Sequence, residues 1–133
     1  MKTNIATKIM DDVVLVYNND ENPSDEEWPS YITLQSKLRL PVLVVTDGGA
    51  PNAKQRSEIN THFVGRKVAV LTDSKVALAV LTALFWFNKS MKGFAAGEFE
   101  PALRYLGTRV TPQVAQRQIE LLRTDVKLAN KAS

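Results

Sequence analysis

The chain has 133 residues, a formal charge of +3 and no cysteine. That length suits one domain able to bury a core without staples. The lack of cysteine excludes disulfides, thiolate metal sites and cysteine nucleophiles. Charge is unevenly placed. Residues 1–30 carry Lys2 and Lys8 against seven acids, a balance of −5 that leaves +8 on the remainder. The basic residues are scattered, with no stripe interleaved with aromatics, so no nucleic-acid partner is expected. Asp11 and Asp12 interrupt any secretory-type apolar core near the N-terminus. The longest apolar run, Val76–Phe87, falls well short of the roughly twenty residues a bilayer needs. No membrane span and a cytoplasmic location are therefore expected.

Ile5–Met10 and Val13–Tyr17 flank Asp11-Asp12 and read as two strands joined by a tight turn. A polar loop follows from Asn18 to Asn22. Ser24 and Glu27 have capping-box spacing, and the acids there suit a helix N-terminus. Trp28, Tyr31, Ile32, Gln35 and Leu38 share one face of that helix. Pro29 would cost a hydrogen bond in a helix begun at Asp25, so a kink or a start near Ser30 is expected.

Pro41–Thr46 is a continuous apolar run of the kind buried on both faces of a parallel sheet. Asp47-Gly48-Gly49-Ala50-Pro51 then turns sharply, with Pro51 placed as the first residue of a helix reaching about Phe63. Ala53, Ile59 and Phe63 are its expected inward residues, and Gly65 ends it. Lys67–Leu71 is the next buried strand. Thr72 or Asp73 can cap a helix over Ser74–Phe87. Lys92–Ala96 is a short strand. Glu98–Leu106 is a helix with Phe99, Ala102, Leu103 and Leu106 inward, stopped by Gly107. Thr111-Pro112 opens a last helix to about Ala129, with the stripe Ala115, Ile119, Leu122, Val126 and Ala129.

Strands alternating with helices imply a layered α/β domain with a mainly parallel central sheet and an extra C-terminal helix. The element order resembles the STAS superfamily of bacterial anti-sigma-factor antagonists, in particular its uncharacterised bacterial branch. The phrases that carry the resemblance are Pro23-Ser-Asp-Glu-Glu-Trp28, Val42-Leu-Val-Val-Thr-Asp-Gly-Gly49, the block from Arg66 through Trp86, and Phe94-Ala-Ala-Gly-Glu-Phe-Glu-Pro-Ala-Leu103. It covers about residues 5–107 and implies a ββαβαβαβα domain that acts by binding protein. In a switching STAS domain a central strand ends in Asp-Ser-Ser-Gly, and a serine there is phosphorylated. Here Asp47 matches the aspartate, while Gly48 stands where the first serine would be and has no hydroxyl. Thr46 and Ser74 are then the candidate phosphoacceptors, Ser74 through an alternative alignment on Asp73-Ser74.

The loop Thr46, Asp47, Gly48, Gly49 and Asn52 is the first candidate site, because ligands of open α/β sheets sit beyond the carboxyl ends of strands. It has neither a Walker lysine pattern nor a three-glycine fingerprint. The helix bearing Val76, Val80, Leu84, Phe85 and Trp86 is the second. It lacks a polar face, so it should be covered by the C-terminal helix, by a second subunit or protein partner, or by an apolar ligand. His62 has no acid or nucleophile at useful spacing except Glu58. No His, Asp and Glu cluster has metal-ligand spacing, and no cofactor is expected. The reading is a non-enzymatic STAS-like regulatory or scaffolding domain that binds a protein, a homodimer included. The alternatives are a binder of a nucleotide or apolar small molecule, and a phospho-switched anti-sigma-factor antagonist.

Overall fold

A computed structural model describes residues 2–85 and 89–132, with backbone only for Leu84 and Phe85. The elements are β1 (Ile5–Ile9), β2 (Val14–Asn18), α1 (Trp28–Ser36), β3 (Val42–Thr46), α2 (Ala53–His62), β4 (Val68–Leu71), α3 (Lys75–Phe85), β5 (Met91–Phe94), α4 (Phe99–Leu106) and α5 (Pro112–Ala132). The five strands lie side by side in chain order. β1 runs antiparallel to β2, and β2 through β5 are parallel. The architecture is the expected α/β one.

The apolar runs are fully used. Because side chains alternate across a strand, each central strand feeds two cores. Val14, Val16, Val42, Val68, Val70 and Met91 pack under Trp28, Ile32, Ile59, Phe63 and Leu81 of the α1–α3 side. Leu15, Tyr17, Leu43, Val45, Ala69 and Leu71 pack under Phe99, Ala102, Leu103, Leu106, Ile119, Leu122 and Val126 from α4 and α5. Strands laid down in sequential order with crossovers of one hand place every crossover helix on the same face. So α1, α2 and α3 share one face, and α4 with α5 must cover the other. α5 packs on α4, β1 and β2.

Three local expectations are corrected. α2 begins at Ala53, not at Pro51, because Asn52 caps it. The Asn52 carboxamide accepts from Gln55 N at 2.9 Å while Gln55 Oε1 accepts from Asn52 N at 2.8 Å. This register exposes Ala53 and buries Gln55 in its place, where Gln55 Nε2 donates to the Pro23 carbonyl at 2.9 Å. β5 occupies Met91–Phe94, not Lys92–Ala96, because the chain turns at Ala95, whose N–H donates to Glu98 Oε1 at 2.8 Å. α1 starts at Trp28, with Pro29 in its first turn, where its missing N–H costs nothing.

Ser24 and Glu27 do form reciprocal bonds: Glu27 N donates to Ser24 Oγ at 3.3 Å, and Ser24 N donates to Glu27 Oε2 at 2.6 Å. Glu27 does more than cap. It is buried, and its carboxylate also accepts from the backbone N–H groups of Asn4 and Ile5, at 2.9 and 3.0 Å. One carboxylate thus ties the start of β1 to the start of α1. The β1–β2 turn is tied in a similar way. Asp12 accepts from Thr108 Oγ1 at 2.5 Å and Arg109 N at 2.9 Å, which anchors the link between α4 and α5. These two bonds hold the Asp12 carboxyl below its ordinary range, Thr108 contributing most.

Candidate functional site

The carboxyl ends of β2, β3 and β4 meet in one rim, and the β3–α2 loop is its centre. Two glycines are needed there for different reasons. Gly48 adopts φ +133°, which side-chain-bearing residues rarely reach. Gly49 is a close approach: a Cβ on it would lie 2.0 Å from the Glu21 carbonyl oxygen and 2.7 Å from Asn18 Nδ2. The β2–α1 loop is stitched to this spot. Gly49 N donates to Asn19 O at 2.8 Å, Asp47 N donates to Asn18 O at 2.9 Å, and buried Asn18 donates to Glu21 O at 2.8 Å.

Thr46 is buried. Its hydroxyl donates to the Gly49 carbonyl at 2.5 Å and accepts from Gly48 N at 3.2 Å. Ser74 is half-buried at the start of α3, where its Oγ accepts from Ala77 N at 3.1 Å and caps the helix. The two alternative alignments of the sequence converge in space here. A Cβ on Gly48 would have Ser74 Oγ at 3.9 Å and the Cβ of Asp20 at 3.8 Å. A hydroxyl from the β4–α3 loop therefore stands beside the position that lacks one.

Asp47 is the most constrained charge on the rim. Arg123 from α5 grips both its oxygens, Nε to Oδ2 and Nη2 to Oδ1, each at 2.9 Å. The Tyr17 hydroxyl donates to Oδ2 at 2.6 Å. Glu120 pairs with the remaining arm of Arg123, and the guanidinium lies over the Tyr17 ring at 5.1 Å. Partial burial pushes the Asp47 carboxyl up, but the bonds from Arg123 and Tyr17 outweigh it and hold the carboxyl below its usual range. Burial, with the bond to Asp47, raises the Tyr17 phenol to about 12. Arg123 is raised by the same carboxylate. Asp47 is thus a fixed anion and Tyr17 a fixed donor. Neither is poised to move a proton near neutrality.

The Asp47–Arg123 pair stands between two clefts. One, of about 810 Å³, runs along the C-terminal half of α5 and the β2–α1 loop, with Tyr17 and Asp47 in its wall. The other, of about 510 Å³, opens between α5 and the β5–α4 loop, lined by Thr46, Asp47, Gly97, Gln116, Glu120 and Arg123.

The second candidate site lies on the other side of the sheet. α5 does not cover α3, so that expected cover is ruled out. α3 buries Ala77 and Leu81, leaves Val80 half-buried, and exposes Val76 at 73% and Leu78 at 43%. Ala79 and Ala83 are exposed beside them. Trp86 and Phe87 lie outside the described residues. His62 closes α2 as its last residue. Among the described residues no group of three or more His, Cys, Asp or Glu side chains is placed to hold a metal ion. No described helix is long and apolar enough to cross a membrane.

The cluster Tyr17–Asp47–Arg123–Glu120 was not foreseeable from spacing. Its members lie 30 and 76 residues apart in sequence, and Arg123 sits in α5 as one of several exposed-looking bases. Only the placement of α5 over β1 and β2 brings it to the rim. Comparisons with protein-family models, with curated proteins and with solved structures found no match.

Proposed function

We propose that this chain is a non-enzymatic, STAS-like regulatory domain of the cytoplasm that works by protein association, and that its partner through α3 is a second copy of itself. The observation that carries this reading is the bare apolar face of α3, with Val76 at 73% exposure and α5 committed to the opposite face of the sheet. Exposed apolar surface of this kind marks interfaces. A second copy fits the face electrostatically. No ionisable side chain lies between Lys75 and Lys89, so two such faces meet without repulsion, and the patch offers a charged partner nothing to pair with. The Asp47 cluster of the rim fits the same reading, since Tyr17, Asp47, Arg123 and Glu120 are locked in one another.

The test is the mass in solution by light scattering, with Val76→Glu and Leu78→Glu as variants. The wild type is expected at twice the 14.8 kDa chain mass, and each variant at the monomer mass with an unchanged far-ultraviolet spectrum. A wild type that stays monomeric at high micromolar concentration overturns the self-association, as does a complex formed only with a different protein.

A second reading, the phospho-switch, is favoured by one observation: Ser74 Oγ lies beside Gly48 and is partly accessible, whereas the Thr46 hydroxyl is buried and bonded. A kinase would transfer the γ-phosphoryl of ATP to Ser74 Oγ, with loss of the hydroxyl proton and release of ADP. A phosphate at the start of α3 suits the helix dipole, while Asp20 and Asp73 beside it oppose the added charge. Intact mass after incubation with ATP and source-cell extract reads this directly. A gain of one phosphate that Ser74→Ala abolishes supports it, and a gain that survives Ser74→Ala excludes this site.

A further inference from the structure

We propose that the larger cleft, at the carboxyl ends of β2 and β3, binds a small dipolar molecule with an anionic group at one end and an amine at the other. The cleft has the volume of a small-molecule site, about 810 Å³, and lies where open parallel sheets hold ligands. Its wall is built from segments far apart in sequence: the N-terminus, the β2–α1 loop, the β3–α2 loop and the last turns of α5.

Once the ion pairs within the protein are set aside, the charges on these walls are sorted by sign. On the α5 side stand Lys127 and Lys131, one helical turn apart and facing the same way. On the loop side stands Asp20, with Asp47 at the back. Part of this charge is already matched within the protein: Glu21 takes Lys2 at 2.7 Å, and Asp47 takes Arg123. Among the described residues Lys127, Lys131 and Asp20 form no ion pair. Lys127 lies within the field of Asp47 and Asp20 within that of Lys2, but two cations on one wall and one anion on the other stay outside the ion pairs. Tyr17, with its phenol held by Asp47, and the exposed Leu128 give the space between them an apolar lining.

This sorting discriminates between ligand types. A bare anion gains the lysines but meets the field of Asp20 and Asp47. A bare cation gains Asp20 but meets the lysines. A molecule carrying both charges satisfies both walls at once, and its two weak contacts reinforce each other because the second forms within the first complex. The anionic end is an oxyanion, carboxylate or phosphate, since ammonium groups recognise either. The site is separate from α3, so self-association and ligand binding succeed or fail independently.

The test is an amide-resolved NMR titration of the full chain. Phosphoethanolamine and β-alanine serve as phosphate- and carboxylate-bearing zwitterions, and inorganic phosphate and ethylamine as the two halves. At least one zwitterion is expected to shift the amides of Asp20, Asp47 and Lys127 at millimolar concentration. Each half should bind about tenfold more weakly or worse. The pair Lys127→Gln with Lys131→Gln, and separately Asp20→Asn, should each weaken the zwitterion about tenfold while leaving the rest of the spectrum in place. Absence of shifts at the cleft with either zwitterion overturns the proposal. So does inorganic phosphate binding as tightly as phosphoethanolamine, or variants that bind like the wild type.

Discussion

Arg123 holds both carboxylate oxygens of Asp47 at 2.9 Å, and by this contact the last helix is fastened to the turn that follows the central strand. Both groups are partly exposed, so water and salt screen the pair. The coupling energy from a cycle of Asp47→Asn and Arg123→Gln is expected at about 1 kcal/mol, falling as salt is raised. The measurement is urea unfolding of the four proteins at low and high ionic strength. A coupling indistinguishable from zero at low salt contradicts the role given to the pair.

The same clamp sets an acid limb. Asp47 has a folded-state pKa below its unfolded value, so its contribution is fully present above the ordinary carboxylate range. It is lost as pH falls through the lowered value, because the unfolded state then binds the extra proton more readily. Wild type and Asp47→Asn should therefore converge in stability as pH drops below about 4. Unfolding midpoints between neutrality and acid pH check this. A gap that stays constant with pH rules out the carboxylate as its source.

The two glycines should respond in the reverse of the order that backbone angle alone suggests. Gly48→Ala brings the new methyl only to ordinary contact, 3.8–3.9 Å from Asp20 and Ser74, and is expected to cost about 1–3 kcal/mol for the strained φ. Gly49→Ala has no strained φ, yet it drives a methyl into the Glu21 carbonyl at 2.0 Å. One loop must move away, losing the bonds from Gly49 and Asn18, and the cost should exceed that of Gly48→Ala. Urea midpoints decide the order, and equal costs would contradict the close approach.

Glu27→Gln tests the tie between β1 and α1. The buried carboxylate accepts from three backbone N–H groups, those of Asn4, Ile5 and Ser24. A carboxamide replaces one acceptor with a donor aimed at donors, which should cost about 2–3 kcal/mol. Hydrogen exchange should quicken most at Asn4 and Ile5. Unchanged protection there would show that β1 is held by β2 alone.

The packing of α3 predicts a contrast within one helix. Leu81 packs in the core under the sheet face, so Leu81→Ala should destabilise by about 2–5 kcal/mol. Val76→Ala, one turn and a half away on the bare face, should change the stability of the monomer by less than about 0.5 kcal/mol. Thermal unfolding of both in a monomeric background checks the assignment of faces.

Much of the fold was legible because its strongest signals are local. Pro41–Thr46 and Lys67–Leu71 carry the unbroken apolar runs Val42–Val45 and Val68–Leu71, and only a strand covered on both faces uses such a run fully. Phe99, Ala102, Leu103 and Leu106 followed by Gly107 fix α4, where Gly107 takes φ +73° as the cap. The Asn52–Gln55 box is masked in the sequence because Pro51 offers a competing start two residues earlier. The apolar helix at Val76–Phe85 was recognisable, but what lies over it was not. Helical periodicity says which residues want cover, and only the chain order of the strands says which face α5 can reach. The bonds from Tyr17 and Arg123 to Asp47 were invisible for the same reason.

The side-by-side order of the strands has a consequence for how the chain is made. As β2 to β5 and their crossovers leave a ribosome in sequence, one face of the growing sheet is covered step by step. Leu15, Tyr17, Leu43, Val45, Ala69 and Leu71 wait on the other face for α4 and α5. A nascent chain that has reached Phe94 but not Phe99 thus owns every strand of its sheet and still has this face bare. Its solubility during synthesis depends on whatever holds that face until the final helix arrives.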